Sequence, residues 1–295
     1  MGGPACIVID CANPPTDDHA ALFATLHSRL NLLESHYSRF REDSVINLIN
    51  RRAGSGIPTT VDTETATLLN FANDLWLASE GLFDITSGVL RKAWDFRHGG
   101  GACPERIAEC LSKVGWHLVE YDNNVIHLPV EGMEIDLGGL VKEYAADCIA
   151  ALIREAGATA ALVELAGDIV AVGSQGDGQP WHVGIRDPDG SDTLLTLSLT
   201  DSAVATSGNY ARTTEHAGRK LGHFLNPHNG WPVAGPVSVS AIDRQCLTAG
   251  AIATVACLKT DCHAESWLKE AGLPWLMLKS CGELIGPLKE TALLH

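Results

Sequence analysis

The sequence contains few basic residues and no long apolar run. Lysine and arginine number 21 against 36 aspartates and glutamates, so the formal net charge is −15 at pH 7. Because binding to a nucleic-acid backbone needs clustered basic side chains, this balance argues against nucleic acid as a partner, although a small anionic ligand needs only local positive potential. No run reaches the roughly eighteen apolar residues of a transmembrane helix, so we do not expect the chain to span a membrane.

Cysteine pairs and export signals are also missing. The nine cysteines are scattered and no two form a C-x-x-C pair. This pattern favours free thiols in a reducing compartment over a disulfide framework or a zinc site. The first residues carry no basic segment followed by a long apolar core, so no signal peptide is predicted. As written, the sequence predicts a cytoplasmic protein, and a periplasmic one if an N-terminal leader is missing.

The sequence does contain mixed helical and strand periodicities, and it has no Rossmann, Walker or nucleophile-elbow pattern. Helical spacing predicts helices over 17–34, 45–50, 63–79, 144–156, 248–258 and 264–271. Strand patterns cover 5–10, 125–128, 161–165, 181–185, 193–199, 202–210, 237–242 and 275–278. Because these elements do not alternate regularly, we expect an α+β fold with mixed, largely antiparallel sheets and packed helices, in a single domain over residues 1–295.

The most informative stretch is 134–147, where Gly138 and Gly139 follow a short apolar and acidic run and a helical segment begins at once. Adjacent glycines at a strand-to-helix turn let the backbone approach a ligand closely and leave the first helical N–H groups free. Lys142 lies in the first turn of the helix, where a cation opposes the helix dipole. Its position is better explained if Lys142 and the free N–H groups bind the same anion, such as a phosphate. An ordinary turn with an exposed lysine is the alternative.

Two later segments carry side chains suited to catalysis or binding. His223 stands at the end of an apparent strand, where an imidazole can serve as a general base near neutral pH. A surface or capping histidine is the alternative. Thr206 and Ser207 precede Gly208, and their hydroxyls can donate to a phosphate or a ligand carbonyl, or can simply stabilise a turn.

Six segments, taken in order, resemble the FAD:protein FMN transferase family, the ApbE-type flavin transferases. They are residues 1–2, 37–44, 81–86, 136–147, 203–210 and 223–230, and 136–147 is the most specific. The resemblance spans nearly the whole chain and implies an ApbE, T-fold-like structure. It also implies a protein that binds FAD, splits its pyrophosphate, passes FMN to a threonine or serine hydroxyl of an acceptor flavoprotein and releases AMP.

The resemblance further implies roles for particular residues. His223 would be the base that takes the hydroxyl proton, and the backbone around Gly138 and Gly139, with Lys142, would hold the diphosphate. The other residues implied in cofactor binding, around the flavin and adenosine, are Met1, Phe40, Leu82, Phe83, Asp84, Asp136, Ser207 and Leu225.

Magnesium binding is the point at which the sequence departs from the family. The resemblance implies Mg²⁺ on the carbonyl of Gly139 and the hydroxyl of Thr254, with a carboxylate at the position that Gly250 occupies here. Because Mg²⁺ usually needs one or two carboxylates besides substrate phosphates, we expect a weakened site. Three interpretations stay open: a transferase with a weakened or relocated metal site, a degenerate member that binds FAD without transferring it, and an FAD pyrophosphatase.

Overall fold

The structure is a computed structural model that describes residues 3–10, 17–94, 96, 103–188, 190, 192–210, 212–216 and 218–291. Within them the α-helices are α1 (Asp17–Tyr37), α2 (Val45–Arg51), α3 (Thr63–Ala78), α4 (Pro104–Leu111), α5 (Val141–Glu155), α6 (Cys246–Cys257), α7 (Asp261–Ala271) and α8 (Leu288–Thr291). The β-strands are β1 (Ala5–Ile9), β2 (Thr59–Thr60), β3 (Glu120–Asp122), β4 (Val125–His127), β5 (Ala161–Leu165), β6 (Asp168–Val172), β7 (Trp181–Arg186), β8 (Thr193–Leu199), β9 (Ala203–Gly208), β10 (Thr213–His216), β11 (Arg219–Gly222), β12 (Ser238–Asp243), β13 (Trp275–Leu278) and β14 (Leu284–Ile285). Two 3₁₀ helices cover Ile85–Lys92 and Trp116–Leu118.

A seven-stranded antiparallel sheet forms the centre of the fold, in the order β1-β5-β6-β9-β12-β13-β14. A three-stranded sheet, β2-β4-β3, and the hairpins β7-β8 and β10-β11 lie outside it. Strand pairing places Ser207, near the end of β9, opposite Val239 on β12. This arrangement confirms the predicted α+β fold with largely antiparallel sheets.

The central sheet is buried on both faces because its strands send alternate side chains into two apolar clusters. Along β5, Ala161 and Val163 pack into the larger cluster, which includes residues of α5 and α6, whereas Leu162 contacts the smaller one. The smaller cluster contains residues of the β7–β8 hairpin such as Val183 and Leu197. The sheet therefore lies between helices on one side and a two-stranded ribbon on the other.

Small residues let α6 pack closely against its neighbours. Ala249, Ala251 and Ala253 are at most 2% exposed, and α6 contacts β9, β12 and α5. Gly250 lies directly against Glu143 in the first turn of α5. The start of α5 is therefore held between the sheet and the middle of α6, which is where the candidate site is found.

Most of the predicted elements are confirmed, including the strand at 125–128, but the turn with the paired glycines does not follow directly on a strand. Residues 134–137 lie outside any strand. The side chain of Asn50 takes the place of a neighbouring strand, because it donates to the Ile135 carbonyl at 3.0 Å and accepts from the Ile135 amide at 2.7 Å. Helix α4 and the β10–β11 hairpin were not predicted. The extent of a single domain over 1–295 stays a prediction.

None of the described helices combines the length and the hydropathy that a bilayer crossing needs.

Candidate functional site

The paired glycines lie in the turn before α5, which begins at Val141. The residue that precedes the helix, Leu140, makes no side-chain capping bond. Within the described part of the chain, no acceptor meets the backbone N–H groups of Gly139, Lys142 or Glu143. Free N–H groups at a helix N-terminus favour an anion. The turn is therefore suited to the phosphate predicted for it.

Phe83 lies directly beside the glycine turn. Neither Gly138 nor Gly139 has a positive φ, so backbone conformation does not require a glycine here. A Cβ added at Gly139 would lie 3.4 and 3.5 Å from two carbons of the Phe83 ring, which is ordinary van der Waals contact, so the ring packs against the turn without excluding a larger residue. Leu82, the preceding residue, is half-buried against the main apolar cluster. The sequence therefore brings the 81–86 segment and the glycine turn into direct contact.

Asp84 fixes the loop that carries Leu82 and Phe83. Its side chain is buried, and both carboxylate oxygens accept hydrogen bonds from protein amides. Oδ1 accepts from Thr86 at 2.7 Å and Oδ2 from Trp116 at 2.9 Å. The structural role of Asp84 is thus to position the loop, while direct contact between its carboxylate and a ligand stays a prediction.

Asp136 ties the glycine turn to Phe40. Its carboxylate pairs with Arg39 and accepts the Gly138 amide at 2.9 Å, and its own amide donates to the Ile85 carbonyl at 2.8 Å. The Arg39 guanidinium carbon lies 4.8 Å from the centre of the Phe40 ring, which is 73% exposed. An exposed aromatic ring offers a surface for a flat ligand ring.

Lys142 is engaged by two carboxylates. Its ammonium pairs with Asp168 and lies 3.3 Å from Oε1 of Glu143. Asp168 is 1% exposed, and its other oxygen accepts the Thr206 amide at 3.1 Å. The lysine is therefore held at the start of β6, next to the free N–H groups of α5. An anion at the turn would compete with Asp168 for it.

His223 is a partly buried histidine whose Nδ1 atom is buried. Burial and then the positive charge of Arg212 lower its pKa to about 4, against a hydrogen bond with the Arg212 backbone that raises it. Its Nδ1 has no hydrogen-bond partner among the described residues. The residue directly follows β11, and the next amide, that of Phe224, donates to Oδ1 of Asn209 at 3.3 Å. With its pKa lowered in this way, the ring is unprotonated at neutral pH, and no donor among the described residues occupies the Nδ1 lone pair.

Ser207 and Thr254 meet between β9 and α6. Their hydroxyl oxygens are 2.8 Å apart, and Thr254 is 9% exposed. The Gly139 carbonyl, in the turn before α5, accepts no hydrogen bond from the described residues. Oε2 of Glu143 is buried and, within the same described set, also has no partner. No group of three or more His, Cys, Asp or Glu side chains able to hold a metal occurs in the part of the chain described.

The predicted residues thus form two linked groups, with α5 between them. Phe40, Phe83, Asp136 and the glycines surround the turn before α5, and Lys142 connects that turn to β6. Ser207 and Thr254 lie on β9 and α6, and Asn209, two residues beyond Ser207, connects β9 to the segment that carries His223. Leu225 pairs with Pro232 in an isolated bridge and packs on a separate apolar cluster. Met1 lies outside the described residues.

Three residues of this region were not predicted as site residues. They are Arg39, Asp168 and Glu143. Asp168 could have been suspected, because an acid directly after a turn and at the start of a buried strand needs a partner. The positions of Arg39 and Glu143 depend on contacts between distant segments, which spacing alone does not reveal.

Several known proteins are similar to this chain in sequence and in fold. The FAD:protein FMN transferase of Treponema pallidum (strain Nichols) is 33% identical over 261 residues, which cover 82% of this chain and 72% of that protein. A solved variant of the flavin transferase ApbE from Vibrio cholerae has a TM-score of 0.87 at 25% identity, covering 99% of this chain and 97% of the other. The ApbE protein of Thermotoga maritima gives 0.83 at 27% identity, covering 97% and 93%.

These similarities place the chain in the class of proteins that have the fold of flavin transferases. The family model described as the ApbE family matches residues 1–277, and the chain belongs to that family. The resemblance of the six sequence segments is therefore confirmed.

Proposed function

We propose that this protein is an FAD:protein FMN transferase, which moves FMN from FAD to a threonine or serine hydroxyl of an acceptor flavoprotein and releases AMP. The observation that carries the proposal is the partly buried imidazole of His223, whose pKa is lowered to about 4 and whose Nδ1 has no hydrogen-bond partner among the described residues, in a chain whose curated relatives bear this name. A general base must be unprotonated at working pH and must have a free lone pair. His223 meets both conditions.

The proposed reaction is a phosphoryl transfer. The acceptor hydroxyl oxygen bonds to the phosphorus on the FMN side of FAD, and the bond from that phosphorus to the bridging oxygen breaks. AMP leaves with the bridging oxygen and its electron pair, while the hydroxyl proton passes to His223. The free N–H groups at the start of α5 and the ammonium of Lys142 neutralise charge on the diphosphate. The exposed ring of Phe40 is a surface for the flavin or adenine ring, whereas the buried ring of Phe83 supports the turn from below.

Magnesium is part of the proposal, and the residues present fit it. Mg²⁺ prefers oxygen ligands and typically takes one or two carboxylates, with phosphates and water completing its shell. The Gly139 carbonyl has no donor among the described residues, and Thr254 offers a hydroxyl oxygen. A buried carboxylate oxygen without a partner lies in the same helix turn. When bound, the ion would neutralise charge that develops on the diphosphate.

The test is transfer of FMN to an acceptor by matched histidine variants. Purified protein is incubated with FAD, Mg²⁺ and an unmodified flavoprotein domain whose threonine hydroxyl is free to accept FMN, and the intact mass of the acceptor is measured. His223→Asn is expected to lower the transfer rate by about a hundredfold or more, since positioned proton transfer contributes roughly 10²–10⁴. His263→Asn is the control, because His263 is an exposed histidine of α7 that bonds only locally, to Thr260. Equal rates for the two variants would refute the role of His223.

A further inference from the structure

The carboxyl group of Glu143 fills the place of a side chain at position 250. A Cβ added at Gly250 would lie 2.5 Å from Cγ of Glu143, 3.1 Å from its carboxyl carbon and 3.2 Å from Oε1. Real Cβ atoms essentially never come as close as 2.5 Å, so a larger residue at position 250 would require the Glu143 side chain to move. The position of Glu143 on α5 therefore depends on the glycine at position 250 on α6.

This carboxylate is buried and only half satisfied. Glu143 is 5% exposed, and Oε1 lies 3.3 Å from the Lys142 ammonium, which also pairs with Asp168. Oε2 has no partner among the described residues. A buried carboxylate oxygen is unfavourable unless a donor or a cation meets it. Lys142 alone does not satisfy the Glu143 carboxylate, because Oε2 still has no partner among the described residues.

Two other oxygen atoms that can bind a metal ion are close in sequence to this pair, one near Glu143 and one near Gly250. The Gly139 carbonyl is four residues before Glu143, and helical side chains lean toward the N-terminus, so the glutamate leans over that turn. Thr254 is four residues after Gly250, on the same face of α6. No described residue donates a hydrogen bond to the Gly139 carbonyl. The chain therefore provides three oxygen ligands for a metal ion, which are a carboxylate, a carbonyl and a hydroxyl.

We propose that Glu143 supplies the metal carboxylate of this protein, so that a divalent cation binds between the first turn of α5 and the Gly250–Thr254 face of α6. The carboxylate that position 250 lacks is thereby provided from the neighbouring helix. The identification of the ion as Mg²⁺ rests on the proposed function. The position of the ligand rests on the contact between Glu143 and Gly250.

The first test measures metal binding without any acceptor. Mn²⁺ serves as the probe because it suits the same oxygen ligands, and its free concentration is followed by electron paramagnetic resonance in the presence of ADP. Glu143→Gln keeps the shape but removes the charge, and we expect its Mn²⁺ affinity to fall by about tenfold or more, as for other ligand-shell changes. Glu155→Gln, at the exposed end of the same helix, is the control and should bind like the unaltered protein. Equal affinity of Glu143→Gln and the control would overturn the proposal.

A second variant, in which the carboxylate is moved to the other helix, distinguishes loss of the metal ligand from a disturbed fold. The double variant Glu143→Gly with Gly250→Asp moves the carboxylate to α6 and removes the clash. We expect it to recover Mn²⁺ affinity to within about threefold of the unaltered protein, with circular dichroism confirming that it is folded. A folded double variant that binds no better than Glu143→Gln would overturn the proposal. Loss of FMN transfer with Glu143-dependent Mn²⁺ binding intact would count against the proposed function alone.

Discussion

The ammonium group of Lys142 pairs with the buried carboxylate of Asp168, joining the first turn of α5 to the start of β6. The pair keeps the lysine beside free helical N–H groups in the absence of a ligand. Because Asp168 is 1% exposed, its charge depends on this partner and on the Thr206 amide. The lysine thus has a structural partner and remains next to the turn proposed to bind phosphate.

Removal of the Asp168 charge should lower the stability of the fold. Asp168→Asn leaves the Lys142 ammonium without its main anionic partner, and we expect the free energy of unfolding to fall by about 2 kcal/mol. Urea unfolding followed by circular dichroism measures the change. Asp74→Asn, on the exposed side of α3, is the control and should change stability by less than about 0.5 kcal/mol. Equal effects of the two substitutions would contradict a structural role for the pair.

The pH dependence of transfer should reflect the lowered pKa of His223. The pKa of about 4 means that the free protein keeps a neutral imidazole well below the usual value of 6.5. The acid limb of kcat/KM should therefore lie near pH 4 to 5, since this parameter reports the free enzyme. Initial rates of FMN transfer between pH 4.5 and 8 provide the measurement. A limb centred near pH 6.5 would show that the imidazole is not held neutral.

The same shift predicts a change of stability with pH. Between pH 4 and 6.5 the unfolded chain binds a proton at His223 that the folded chain excludes. Stability therefore falls as the pH drops through this window, by at most about 3 kcal/mol for this group. Urea unfolding at pH 7 and pH 4.5 should show a smaller loss for His223→Gln than for the unaltered protein. Identical losses would mean that other groups dominate.

Arg39 should matter more for flavin binding than its neighbour Arg41. Arg39→Met removes the cation that links Asp136 to Phe40, and we expect the affinity for FAD to fall by about tenfold. Arg41 pairs only with the exposed Asp43, so Arg41→Met is the matched control. Titration of FAD fluorescence gives both dissociation constants. Equal weakening by the two substitutions would indicate a general charge effect instead of the Arg39 linkage.

Ala166 offers a stabilising substitution away from the proposed chemistry. It has φ +52° in the two-residue turn between β5 and β6, a conformation that costs an L-residue roughly 1–2 kcal/mol. Ala166→Gly should raise the free energy of unfolding by about 0.5–1 kcal/mol after the entropic cost of glycine. Ala156→Gly, at φ −74°, should lower it instead. A loss of stability in Ala166→Gly would contradict the strain.

The sequence predicted those elements whose signals are local. The periodicity of α3 and the alternation of β7 and β8 depend on nearby residues, and each formed within a residue or two of its predicted bounds. The segment 134–137, just before the glycine turn, lies outside any strand, and Asn50, distant in sequence, provides hydrogen bonds to it. The contact between Glu143 and Gly250 was equally beyond prediction, since it depends on how two helices pack. The missing carboxylate could be seen in the sequence, but the residue that replaces it could not.

The most direct test of the account is the balance between AMP release and acceptor labelling. Protein, FAD and Mg²⁺ are incubated with the threonine-bearing acceptor domain, and AMP is quantified by chromatography while the acceptor is weighed by intact mass spectrometry. The account predicts one AMP released for each acceptor that gains one FMN, with little AMP when the acceptor threonine is replaced by valine. AMP release without any gain in acceptor mass, or flavin binding with neither product, would contradict it.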